Sequence, residues 1–190
     1  MTAASESSVW DIVQSTLARE FSGATDVERW TEMLVRLSIA LFLAGVLGYD
    51  RERKRRPAGL RTHMMVGLGA ATLALIPEQL GFSDEAIARV IEGVIAGIGF
   101  LGAGAIIRVE SPEQVRGLTT AGSIWATAAV GVAAGLGQEI TALVTTAFAF
   151  LILSWISRIE RHLASDSNDA KDGQVIIDSD NRSVTANRDQ

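Results

Sequence analysis

The chain has 190 residues and a formal net charge of -5, with hydrophobic side chains at 48% before its 18 glycines are counted; ordinary soluble domains reach about 45–50% apolar only with glycine included. It contains no cysteine and only two histidines, His63 and His162, which excludes disulfides, thiolate metal sites, a cysteine nucleophile and a multi-histidine metal centre. A pI of about 5.1 speaks against nucleic acid as a partner.

Charge is confined to short stretches. Between 117 and 157 only Glu139 is charged, and 37–49 and 93–107 carry no charge at all, the pattern of a polytopic membrane protein in contact with a lipid bilayer. Residues 1–29 form an N-terminal arm in which Val9, Ile12, Val13, Leu17 and Phe21 recur at helical spacing. That pattern fits a short helix lying on the membrane surface, or equally a weakly ordered arm. Glu6, Asp11, Glu20, Asp26 and Glu28 argue against a cleaved signal peptide, so the first span is expected to be a retained anchor.

Five apolar segments then follow, at 30–49, 62–80, 86–107, 118–137 and 140–157. Each is long enough, or nearly so, to cross a hydrocarbon core of about 30 Å at about 1.5 Å per residue. The second is the least apolar, interrupted at Pro77. The expected fold is all-α: a five-span transmembrane bundle over 30–163, followed by a polar tail over 164–190 that is too short and too polar to build a core.

Lysine and arginine set the orientation. The first connection holds Arg51, Arg53, Lys54, Arg55, Arg56 and Arg61, the third Arg108 and Arg116, and the tail opens with Arg158 and Arg161, whereas 77–85 has no basic residue. The positive-inside rule places the N-terminus outside and the C-terminus in the cytoplasm. The basic run 51–56 reads as a stop-transfer cluster facing anionic headgroups.

Glycine is concentrated in two spans. Gly97, Gly99 and Gly102 spell a G-x-G-x-x-G, but it lies inside an apolar span and not between a strand and a helix, so it fails as a dinucleotide fingerprint. Gly93 with Gly97, and Gly131 with Gly135, are small-residue pairs of the kind that let helices approach closely in lipid. Gly99, Gly102 and Gly104 extend the first group, and both a locally broken helix and a straight one with a glycine face fit them.

A charge in the hydrocarbon costs about 3 kcal/mol on insertion scales, so each one asks for a partner or a role. Glu92 lies about 9 Å into the third span and Arg89 one turn before it; they form either a self-neutralising pair or leave a carboxylate facing a polar pathway. Arg36 in the first span snorkels outward or pairs with Glu32 or Glu92. At the cytoplasmic boundary Asp50, Arg51, Glu52, Arg61, Arg108 and Arg116 gather, as a salt-bridge network or as an anion or headgroup site.

Three signatures resemble the MgtC/SapB family of bacterial inner-membrane proteins. The first is Gly48-Tyr49-Asp50-Arg51-Glu52 continuing to Ala58-Gly59-Leu60-Arg61-Thr62. The second is Arg89 followed by Gly97-Ile98-Gly99-Phe100-Leu101-Gly102-Ala103-Gly104. The third is Val115-Arg116-Gly117-Leu118-Thr119-Thr120-Ala121 with Trp125 and Gly131. The resemblance implies five spans in the inner membrane and a link to magnesium homeostasis, low-magnesium stress and virulence. It further implies a regulator that binds other membrane proteins, ATP synthase among them. Asp50 stands where the family usually has Glu, Glu92 where relatives carry an amide or a small residue, and the ACT-like domain that follows in many members has no counterpart in 164–190. A homo-oligomeric magnesium or small-solute transporter is the alternative. No cofactor is implied, and without a Ser/His pair, HExxH or paired aspartates in the spans an enzyme is not expected.

Overall fold

A computed structural model describes residues 9–20, 26–106 and 117–156. The expectations for Arg108, Arg116, His162, Phe21 and the tail 164–190 fall outside these residues. Among the described residues every element is helical: α1 Val9–Glu20, α2 Val27–Arg53, α3 Leu60–Gln79, α4 Asp84–Ile106, α5 Leu118–Gly135 and α6 Glu139–Leu151, which runs on into a π-helical turn Ile152–Ile156. Four helices, α2 to α5, are long and apolar enough to cross a membrane; the fifth apolar segment, Glu139–Trp155, is shorter.

Local chemistry sets the boundaries. Asp26 caps α2 by accepting from the Arg29 amide at 3.1 Å. The helix then runs past the apolar segment through Asp50 and Arg51 to Arg53, because charged residues are good helix formers once outside lipid. Pro77 sits in the last turn of α3, which Gly81 closes in the left-handed conformation (φ 71°). Gly137 (φ 70°) closes α5 in the same way, with the Gln138 amide donating to the Ala133 carbonyl at 2.8 Å. The connection to α6 is therefore the tight turn that the sequence indicates. The glycines of α4 do not break it: Asp84–Ile106 is one continuous helix.

α3 and α5 form the centre, each packed extensively on the other; α2 covers both, α6 lies on α5 and α2, and α4 leans on α5 and, more lightly, on α3. The contacts at the helix ends make α2 to α6 alternate in direction. One core, with Ala40, Leu43, Leu47, Ala71, Val130 and Ala134, joins α2, α3 and α5. A second, with Ala70, Val94, Ile98, Ile124 and Ala128, joins α3, α4 and α5. Small side chains dominate both, so association here depends on backbones approaching closely. A methyl group on Gly67 would lie 2.5 Å from Ala44 Cβ. One on Gly135 would lie 2.9 Å from Ala71 Cα, and one on Gly131 would run into the Gly67 carbonyl.

Candidate functional site

The polar groups of the bundle gather at its two ends. At the end where α2 finishes and α3 begins, Asp50 is the centre. Its carboxylate accepts from Lys54 Nζ at 2.8 Å, from Arg51 Nη2 at 3.2 Å and from the Ser154 hydroxyl at 3.0 Å. Arg51 and Lys54 also reach the Leu153 carbonyl, at 3.4 and 2.7 Å. That carbonyl lies in the π-helical turn that begins at Ile152. Two cations thus bind one carboxylate and one carbonyl across α2 and α6. Arg51 is 2% exposed, and its Nε and Nη1 are buried with no hydrogen-bond partner.

Two further contacts tie α3 into this end. Glu52 Oε2 accepts from the Leu60 amide at 3.0 Å, a carboxylate at the positive end of α3. A Cβ on Gly59 would meet Glu52 Oε2, so any other residue there would shift this carboxylate. His63, fully buried, donates from Nδ1 to the Gly59 carbonyl at 2.9 Å, which leaves Nε2 facing the Ser123 hydroxyl of α5 at 3.2 Å. Ser123 in turn donates to the Thr120 carbonyl at 2.8 Å. Gly48 makes room for this arrangement: a methyl group there would lie 2.8 Å from Leu60 Cα.

At the opposite end Arg36 is the clamp. It pairs with Glu32 one turn earlier, with Glu78 of α3 at 2.9 Å, and with the Gly135 carbonyl of α5 at 3.2 Å. Of the partners considered from sequence, Glu32 is engaged and Glu92 is not; Glu78 was missed, because nothing local in the sequence links positions in different helices. Lys54 and Ser154 were missed at the other end. The four-residue spacing from Asp50 to Lys54 is a helical pairing signal and pointed to the former; no sequence signal pointed to Ser154.

The remaining candidates divide. Asp50 and Arg51 come together, whereas Arg61 is exposed and makes no ion pair among the described residues. Arg89 and Glu92 are both exposed, and of the two readings left open for them the internal pair is not formed among the described residues. Gly131 and Gly135 lie in the core. Gly102 is buried, with Ala121 Cβ 3.6 Å from where its own Cβ would be, but Gly93, Gly97, Gly99 and Gly104 have nothing within 4 Å. Among the described residues no other helix of the chain packs on these four. The periodicity gives their spacing but not which side of α4 faces the neighbours, and Val94, Ile98 and Gly102 occupy that side.

A model of the MgtC family matches residues 37–162. The chain is similar to Protein SrpB of Synechococcus elongatus, 40% identical over 144 residues, covering 70% of this chain and 79% of that protein. It is similar to Protein MgtC of Brucella abortus, 41% identical over 116 residues, covering 61% of this chain and 48% of that protein. It is also similar to the Putative magnesium transporter YhiD of Escherichia coli, 35% identical over 130 residues, covering 64% of this chain and 59% of that protein. The chain thus spans about half the length of the MgtC relative. No solved structure matches it.

Proposed function

The chain belongs to the MgtC family, and from that premise we propose that it is a magnesium-linked regulator that acts by binding another membrane protein. In this reading it sits in the bacterial inner membrane with five spans, N-terminus outside and C-terminus cytoplasmic. Glu139–Trp155 with its π-helical end serves as the fifth, and the lysines and arginines of the first connection lie inside. The ATP synthase implied by the family resemblance is the first partner to test.

One observation carries the choice of regulator over transporter. Asp50, the carboxylate held deepest at the inner boundary, is shared by Arg51 and Lys54. A carboxylate that recruits Mg²⁺ has to offer free oxygens beside a wet path; this one is outnumbered by cations that repel a divalent ion. Glu52 is committed to the start of α3. Both acids act as bolts between helices, which suits a rigid platform for a partner. The transport reading keeps one observation in its favour, the exposed Glu92 within an apolar span, which has no ion pair among the described residues.

The two readings separate in one preparation. Full-length protein in proteoliposomes loaded with a magnesium indicator is expected to give no flux above empty vesicles, while cross-linking in native membranes recovers a membrane-protein partner. Saturable Mg²⁺ flux that disappears in Glu92→Gln, with no partner recovered, would overturn the proposal.

A further inference from the structure

The outward side of α4 combines features that an ordinary lipid-facing helix lacks. Opposite the buried line of Val94, Ile98 and Gly102 run Arg89, Glu92, Gly93, Ala96, Phe100 and Gly104, all exposed. Of the four long helices α4 is the least covered, 11% of its apolar window being buried against 50% for α5. Two opposite charges lie on this side within the candidate span Asp84–Ile106, and neither makes a side-chain hydrogen bond or an ion pair among the described residues. Lipid tails supply no partner for either, so what covers this face has to bring an opposite charge to each.

We propose that this face is the interface with a second copy of the same chain. The argument is charge complementarity under symmetry. Two copies of one membrane chain insert in the same orientation, so a two-fold axis along the membrane normal brings their α4 helices together in parallel. Arg89 then stands about 4.5 Å along the axis from the partner's Glu92, within reach of its long side chain. The symmetric contact forms at the same time, so two bridges satisfy all four charges. A partner of different sequence would need its own acid and base at matching depth; a second copy has them by construction.

The small residues explain how the helices come close enough. Gly93, Ala96, Gly97, Ala103 and Gly104 leave a shallow surface around one large side chain, Phe100, which is 81% exposed. Phe100 of each copy fits into the hollow that these residues leave on the other, a knob into a hole. The shallow side continues into an apolar groove of about 530 Å³ between α3 and α4, floored by Gly69, Gly93 and Gly97. This inference does not depend on whether the protein regulates or transports.

The chain has no cysteine, so single cysteines report cleanly. Full-length Ala96→Cys, expressed at low level and oxidised in native membranes, is expected to form a homodimer. Phe42→Cys, exposed on α2, is expected to stay monomeric. In the Ala96→Cys background, Arg89→Glu or Glu92→Arg alone places like charges together and lowers the cross-linked fraction about tenfold. Combining the two reversals restores it, which a merely structural role for either residue would not do. The proposal is overturned if Ala96→Cys cross-links no more than Phe42→Cys, if it captures a different protein, or if the double reversal stays as low as the single ones.

Discussion

Gly131 and Gly135 on α5 and Gly93 and Gly97 on α4 share one spacing in the sequence and have opposite surroundings in the fold. On α5 the pair lies against the backbone of α3, where a methyl group would meet Ala70 Cβ at 3.0 Å or Ala71 Cα at 2.9 Å. On α4 nothing lies within 4 Å of either glycine. The charged residues follow the same division. Arg36 bolts α2 to α3 and α5 at one end, and Asp50, Arg51 and Lys54 bolt α2 to α6 at the other. Neither bolt touches α4, whose own Arg89 and Glu92 make no ion pair among the described residues. A glycine pair therefore does not specify a neighbour; it permits one, and the rest of the helix decides whether that neighbour belongs to the same chain.

The largest effect that would test this contrast comes from filling the closed side. Gly131→Leu is expected to push α5 off α3 at the cost of about 3 kcal/mol or more, read as loss of folded protein in a detergent unfolding series. Asp50→Asn ranks next. It leaves Arg51 and Lys54 with the Leu153 carbonyl and a neutral amide, and breaking a buried pair costs about 3 kcal/mol; a lower thermal midpoint is the expected sign, and an unchanged midpoint would show that the bolt at Asp50 carries no stability. Arg36→Ala removes the link to Glu78 and to the Gly135 carbonyl, for about 1–2 kcal/mol, measurable in the same series. The smallest effect is expected on the open side: Gly97→Leu should alter the stability of the single chain by no more than about 0.5 kcal/mol.

The sequence located helices well and neighbours poorly, for a physical reason. Confinement of charge marks the limits of lipid, so α3, α4 and α5 begin and end within two residues of the expected segments. α2 runs further at both ends, because helix formation does not stop where lipid does. The constellation at Asp50 and Arg51 was legible because basic residues in a connection have to sit near the acids that end the helix. Lys54 could have been added from its spacing. Ser154, the Leu153 carbonyl and Glu78 were not legible, since each reaches its partner across helices and depends on rotations that periodicity does not fix. His63, at the start of α3, donates to the Gly59 carbonyl and has its Nε2 3.2 Å from the Ser123 hydroxyl. For the charges of α4 the sequence left open a self-neutralising pair or a carboxylate facing a polar pathway; among the described residues they form no ion pair.

The most direct test of the contrast between the two glycine pairs is a paired determination of oligomeric mass and unfolding midpoint for Gly97→Leu in lipid nanodiscs, beside the unmodified chain. The account predicts a dimeric parent, a monomeric variant and the same midpoint once both are compared as monomers. A variant that stays dimeric, or that unfolds as early as Gly131→Leu, would contradict it.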